Sequence, residues 1–190
     1  NEAQEAQKVA AQTAAVIKST GGAAGVSARQ FEELAGSISK VTGIDDELIQ
    51  SAENLLATFT NIANNGPDKV FDRTTQAAID LGVAMKMGPE AAAMALGKAL
   101  NDPVAGMAKL AKQGVQLSDA QKAQVRAFAA VNDIAKAQGV ILAEVERQVG
   151  GSAAAQATAV DKATVSFKNM QESIGTALAP AVDSAAKAIA

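Results

Sequence analysis

The residues that most often perform acid–base or nucleophilic chemistry are missing from this sequence. The chain has 190 residues and contains no histidine and no cysteine. Their absence removes thiol chemistry, disulfides, histidine-based triads and ordinary zinc sites. We therefore predict no catalytic, metal or cofactor site in this chain, and we expect it not to be an enzyme.

Neighbouring carboxylates are the remaining candidates for catalysis. A glycosidase needs two carboxylates that face each other across a cleft, one of them with a raised pKa. Adjacent carboxylates on a helix point in different directions, so solvated charge or helix capping is the favoured interpretation. The pairs are Glu32 with Glu33, Asp45 with Asp46, and Glu144 with Glu146.

The pair Gly97 and Lys98 is similar to the end of a phosphate-binding loop, but the rest of that loop is missing. The loop needs a glycine five residues before this pair and a Ser or Thr after it. Both positions are alanine, Ala92 and Ala99. The sequence therefore predicts a helix that passes through Gly97.

The charges exclude two further kinds of partner. The chain has 17 basic and 20 acidic residues, a net charge of -3, and no dense basic stripe. We therefore expect no specific nucleic-acid partner. No uncharged stretch approaches the roughly 20 apolar residues that span a bilayer. The first residue is not Met and no signal peptide is visible, so we expect the interior of a longer protein.

Hydrophobic residues recur with helical spacing along almost the whole chain, which predicts an all-α fold. The sequence is rich in alanine, and aromatic residues make up only 3% of it. Alanine forms helices readily but buries little apolar area. We expect a bundle of short helices, flanked by longer Ala-rich extensions that resemble coiled coils.

Glycine clusters divide the chain into three predicted regions. Residues 1–27 form an N-terminal helix and a Gly-rich linker, and residues 28–150 form the helical bundle. Residues 151–190 form a long C-terminal helix with a heptad seam, kinked near Pro180.

Several residues give specific predictions about helix ends and the core. Gly43 is expected to end a helix, Asp45 to cap the next one, and Pro67 to occupy the first turn of another. Ser118 and Gln121 form a predicted capping box. The clearest apolar stripe begins at Leu48 and steps by four, three, four and three residues, and Ile49, Leu56 and Ala63 widen it. The candidate core residues are Leu48, Leu55, Phe59, Ile62, Phe71, Phe128 and Ile141.

The C-terminal region carries apolar residues at heptad spacing, which is typical of a helix that packs against a partner helix. The pattern allows packing within the chain or between copies, and we expect a homo-oligomer. The candidate seam residues are Val160, Phe167, Met170, Ile174 and Leu178.

Several segments, in order, resemble the tail tape-measure proteins of long-tailed bacteriophages. The resemblance covers about residues 31–181. The segments that carry it are FEELAGSISKVTG (31–43), IQSAENLLATFTNI (49–62), ALGKALNDP (95–103), GVQLSDAQK (114–122), GGSA (150–153) and LAPA (178–181).

This resemblance implies a structural role in the phage tail. Such proteins extend along the tail lumen, where their length sets the length of the tail. The implied partners are tail-tube subunits, distal tail or baseplate hub proteins, and the host membrane on ejection. The implied location is the virion, in the tail lumen or tip, and then the host envelope during genome ejection. Some members carry lytic modules, which nothing in this sequence matches.

Two other functions are compatible with the composition. A membrane-active helical protein would expose a wide apolar face beside a basic one, but the seam after residue 151 is narrow and poor in lysine. A generic helical adaptor fits the composition equally well. Because the bundle of residues 31–149 is too compact for a ruler, we expect it to be a docking or envelope-interacting module near one end of the parent protein.

Overall fold

The computed structural model describes the backbone of residues 2–189 and the side chains of residues 4–175 and 177. It contains helices and no strand within these residues, which confirms the predicted all-α class. The helices are α1 (Glu2–Ser19), α2 (Ala28–Thr42), α3 (Asp46–Ala57), α4 (Val70–Ala84), α5 (Pro89–Asn101), α6 (Pro103–Lys112), α7 (Asp119–Ala130), α8 (Ile134–Val149), α9 (Ser152–Gln156) and α10 (Ala159–Ile189).

Local capping residues set several helix ends where the sequence predicts them. Gly43 follows α2 with a φ of 69°, in the left-handed conformation that glycine adopts without strain. The Asp45 carboxylate accepts a hydrogen bond from the backbone N–H of Glu47 at 3.2 Å and so caps α3. Ser118 and Gln121 form the predicted capping box at the start of α7.

The prediction for Pro67 was wrong. Helix α4 begins at Val70, so Pro67 lies in the turn before it. The Asn64 side chain accepts hydrogen bonds from the backbone N–H groups of Phe71 and Asp72 at 3.0 and 3.3 Å. The Asn64 side chain therefore satisfies two of the first backbone amides of α4. Pro67 lies in the turn between Asn64 and the start of this helix.

The main core lies between α3, α4, α5 and α8, with α2 closing one side. The rings of Phe31 and Phe71 lie 5.2 Å apart at its centre, in a tilted arrangement favourable for aromatic pairs. Ile62, Phe71 and Ile141, three of the candidate core residues, are fully buried. A smaller cluster between α2, α3 and α4 includes Ile49 and Ile79.

The prediction that Leu48 belongs to the core was wrong, because its side chain is 51% exposed. The buried face of α3 runs through Ile49, Ala52 and Leu56. It shares Ala52 with the predicted stripe, but it is turned away from Leu48 towards the residues that were expected only to widen that stripe. The stripe also crosses the end of α3 at Ala57, so its last two members do not lie on this helix.

The three remaining candidate core residues are half-buried at the edge of the core. Leu55, Phe59 and Phe128 pack against the main cluster but keep part of their surface exposed. The Phe59 ring lies directly over Gly97, where even a Cβ would overlap the ring. Gly97 is therefore a contact point for an aromatic side chain within α5, and it does not belong to a phosphate-binding loop.

The N-terminal region packs against the bundle. The Thr13 hydroxyl donates to the Asn54 side chain at 2.8 Å, and the Gln50 amide donates to Thr13 at 3.2 Å, which joins α1 to α3. Ala24 lies in the Gly-rich segment after α1, is buried, and accepts a backbone hydrogen bond from Asn64 at 2.8 Å. The predicted linker is thus docked on the bundle, and the domain boundaries stay a prediction.

The C-terminal region consists of two helices. The short helix α9 ends at Gln156, and α10 then runs for 31 residues without interruption at Pro180. A kink near Pro180 stays a prediction. The side chain of Leu178 lies outside the described residues.

A close approach between α5 and α6 generates a prediction about Gly106. A Cβ on Gly106 would overlap the Ala99 carbonyl group, so Gly106→Ala forces the two helices apart. We expect it to lower the free energy of unfolding by about 1–3 kcal/mol, measured by urea denaturation with circular dichroism. Gly139→Ala is the matched control, since a Cβ there meets open space within α8. It should raise stability by about 0.5–1 kcal/mol; equal effects at the two glycines would contradict the argument.

Candidate functional site

Helix α10 docks on the bundle through one of its faces. Val165 is 5% exposed, and the Lys168 ammonium donates to the Asp45 carboxylate at 2.9 Å. At the next residue, the side-chain amide nitrogen of Asn169 donates a hydrogen bond to the Asp46 carboxylate at 3.1 Å. The start of α10 also lies close to the turn after α2. The cap of α3 therefore serves as the docking point for α10.

The opposite face of α10 carries the predicted seam. Val160 is 73% exposed, and Phe167, Met170 and Ile174 are 51–55% exposed. Their separations of seven, three and four residues bring them onto one side of the helix. No other element in the described part of the chain covers this side. We call these four residues the α10 apolar face.

The positions beside the α10 apolar face are uncharged. In a coiled coil such flanking positions meet the partner helix, where like charges oppose pairing. Here a second helix would meet only hydroxyl and amide groups. The flanking residues are Thr164, Ser166, Gln171 and Ser173, and all four are exposed.

Three carboxylates stand together at the start of α3. Oxygens of Asp45, Asp46 and Glu47 lie within 4.8 Å of one another, and oxygen ligands suit hard divalent cations. Burial, followed by the hydrogen bond to Asp45, raises the pKa of Glu47 to about 8. Burial also raises the pKa of Asp45, but hydrogen bonds from Glu47 and Lys168 outweigh it and hold this pKa below its usual value. Glu47 is hydrogen-bonded to Asp45, and Asp45 also accepts a hydrogen bond from Lys168. The cluster therefore caps α3 and holds α10.

A cavity of about 300 Å³ opens beside this cluster, between α1, α2, α3 and α10. Asp46 and Glu47 line it together with Glu32 and Glu172. Its walls combine these acidic groups with alanine side chains. The cavity is an acidic recess at the junction where α10 meets the bundle.

The other predicted carboxylate pairs do not face each other across a cleft. Glu33 pairs with Arg29 at 3.5 Å on the surface of α2. Glu146 accepts two hydrogen bonds from Arg73 at 2.9 Å, which ties α8 to α4. Glu144 is 3% exposed and binds Arg147 and the side-chain amides of Gln121 and Gln148. These carboxylates have structural partners.

Two polar features were missed by the sequence analysis. The contacts of Thr13 with Gln50 and Asn54 tie α1 to α3, and Glu53 is fully buried within α3. Both features could have been found from the sequence if the inward face of α3 had been centred on Ile49. That orientation turns Gln50, Glu53 and Asn54 towards the neighbouring helices.

Among the described residues, no helix combines the length and the apolar character needed to cross a membrane.

Comparison with known proteins gives one family. The model of the family described as "Prophage tail length tape measure protein" matches residues 3–126, about two thirds of the chain. The matched part includes α1–α6 and most of α7, whereas α10 lies beyond it. No curated protein and no solved structure matches the chain.

The docking of α10 gives a prediction about Lys168. Lys168→Met removes the ion pair with Asp45 but keeps the apolar stem, so it should loosen α10 and leave the bundle intact. A partly exposed pair contributes up to about 1 kcal/mol, so amide hydrogen exchange in α10 should accelerate about two- to fivefold. Lys162→Met on the same helix is the control, because the Lys162 side chain forms no ion pair among the described residues. Equal exchange in both variants would show that Lys168 does not hold α10.

Proposed function

The chain belongs to the prophage tail length tape measure protein family, and from that premise we propose that it joins identical copies through α10 inside a phage tail. Membership makes the chain a structural component of the tail. We further propose that the chain helps to set the length of the tail, binds other tail proteins and takes part in ejection.

The α10 apolar face is the observation that carries this proposal. A helix that docks through Val165 and Lys168 on one side, and leaves Phe167 and Ile174 exposed on the other, can pack against a second helix without leaving the bundle. The neutral flanking positions favour a second copy of the same helix, since no like charges would meet. A homo-oligomer along α10 is therefore the expected assembly.

Helix length supports the role in setting tail length. A helix rises about 1.5 Å per residue, so the 31 residues of α10 extend over about 46 Å. A narrow tube admits only thin structures, and small side chains keep the cross-section of associated helices small. We propose that extended helices of this kind measure the tail, while tail-tube subunits assemble around them.

The bundle formed by α1–α9 is assigned a different role in this proposal. Its compact packing makes it a poor ruler, so we propose that it docks on distal tail or baseplate hub proteins. During ejection it would leave with the chain and meet the host envelope, where the α10 apolar face offers an apolar contact. The positions beside the α10 apolar face are uncharged, whereas a helix that only binds membranes would present a basic polar face there.

The assembly is tested by changing the α10 apolar face. Phe167→Gln combined with Ile174→Gln removes two exposed seam residues without touching the core, and sedimentation equilibrium reports the mass of the particle. We expect the parent chain to associate reversibly and the variant to bind at least tenfold more weakly, since about 1.5–3 kcal/mol is at stake for each buried side chain.

The matched control changes exposed valines elsewhere on the surface. Val104→Gln combined with Val131→Gln replaces side chains that are 43% and 73% exposed, and it should associate like the parent. A parent chain that stays monomeric at every concentration, or a control that dissociates as readily as the seam variant, would reject α10 as the interface.

The docking role of the bundle is tested by cryo-electron microscopy of intact tails. We expect density for residues 28–150 at one end of the tail lumen, in contact with tip proteins. Density for this segment spread evenly along the lumen would reject the docking role and favour a ruler function for the bundle as well.

A further inference from the structure

Glu53 occupies a place where a carboxylate is costly. Its side chain is 0% exposed, and neither of its carboxylate oxygens has a hydrogen-bond partner. An ionised carboxylate in such surroundings loses its hydration without any replacement. The other buried glutamate, Glu144, contrasts with it, because an arginine and two amides bind its oxygens.

Glu53 lies on α3 next to the residues that attach α1. It follows Gln50 by three residues and directly precedes Asn54, and these two side chains bind Thr13 of α1. The charge that acts on the Glu53 carboxyl group comes from Asp72 of α4. Glu53 is therefore buried inside the bundle, on the helix against which α1 packs.

Among the described residues, the charged groups around α3 provide no compensating cation for Glu53. Asp72, half-buried at the start of α4, is a second carboxylate and adds to the penalty. Further along α4, Arg73 is engaged by Glu146 and Asp80 accepts the backbone N–H of Ala153. The described charged side chains of α1, α2 and α5 are all exposed: Glu5, Lys8, Lys18, Arg29, Glu32, Glu33, Lys40, Glu90 and Lys98.

We propose that Glu53 is a built-in proton-dependent catch, whose carboxyl group holds a proton while the bundle is closed and releases it to solvent when the bundle opens around α3. No bond other than O–H breaks in this step, and water accepts the proton. The closed bundle is then favoured at low pH, and each rise in pH shifts the equilibrium towards the open chain.

The direction and range follow from the ionisation of this one group. Burial, followed by the charge of Asp72, raises the pKa of Glu53 to about 9 in the folded chain, against 4.5 for an ordinary glutamate. Its folded-state pKa is raised, so the stabilisation is complete below the ordinary value and is lost as the pH rises to about 9. Between pH 6 and pH 8 the opening equilibrium should shift roughly a hundredfold.

Such a catch would let the pH control how readily the compact bundle opens. This inference does not depend on the proposed assembly through α10, because α3 lies in the bundle and its titration is read on the isolated chain. If the proposed function also holds, the catch makes the bundle easiest to open at neutral and alkaline pH.

The experiment compares the pH dependence of unfolding in the parent chain and in Glu53→Gln. Urea denaturation of the full 190-residue chain from pH 5 to pH 9 should show the parent losing stability relative to the variant by close to tenfold in the unfolding equilibrium per pH unit. The readout is the difference in slope, so the absolute stability of the variant does not matter. Glu47, whose pKa is also raised, is present in both proteins and cancels.

The control is Glu90→Gln, the same chemical change at an exposed position. It should keep the pH profile of the parent. If Glu53→Gln has the slope of the parent as well, the proposal is wrong.

A second measurement uses the unaltered chain and keeps the proposal testable if the variant does not fold. The ¹³C resonance of the Glu53 side-chain carboxyl should titrate well above pH 7 in the folded protein. A midpoint near the ordinary value of 4.5 would overturn the proposal, whatever the variant does.

Discussion

The close approach of helices through small side chains is the constraint on which this structure depends. Alanines at the centre of α4 and α5, such as Ala78, Ala92 and Ala99, are fully buried and contribute little apolar area each. Helices lined by alanine gain their stabilisation from close contact, and a gap of about 0.5–1 Å already removes roughly a quarter to a half of the contact energy. Gly97 under the Phe59 ring and Gly106 against Ala99 extend the same principle to positions where even one methyl group is too large. A bundle built in this way depends on close contact between its helices more than on large apolar side chains.

Two glutamates, Glu53 and Glu144, are buried in the bundle, and their surroundings shift their pKa values in opposite directions. Hydrogen bonds from Arg147, Gln121 and Gln148 lower the pKa of Glu144 to about 2, so this group stabilises the fold above pH 4.5 and its contribution is lost as the pH falls towards 2. Glu53, with no such partners, acts in the other direction at higher pH. Ionisation of Glu144 therefore stabilises the bundle against acid, whereas ionisation of Glu53 lowers its stability as the pH rises.

The sequence predicted the features that are set locally. A capping side chain or a glycine in a left-handed turn acts within four residues, and Gly43, Asp45 and Ser118 end or begin helices as expected. The inward face of α3 was predicted to be centred on Leu48 rather than on Ile49, because adjacent apolar residues of this kind allow either face and only the neighbouring helices decide between them. The polar contacts of Thr13 and the docking of Lys168 on Asp45 join residues far apart in the sequence, and no local pattern encodes them. The exposed seam of α10 was visible in its spacing, whereas its opposite, docked face was not.

The two faces of α10 explain how a bundle and an assembly can coexist in one chain. Helices that associate through the same side chains that hold them to their own domain must leave that domain first, and the cost of undocking weakens the association. Here Val165 and Lys168 engage the bundle while Phe167 and Ile174 point away from it. The association proposed along α10 would therefore require no change in the bundle, and opening of the bundle would require no loss of that association.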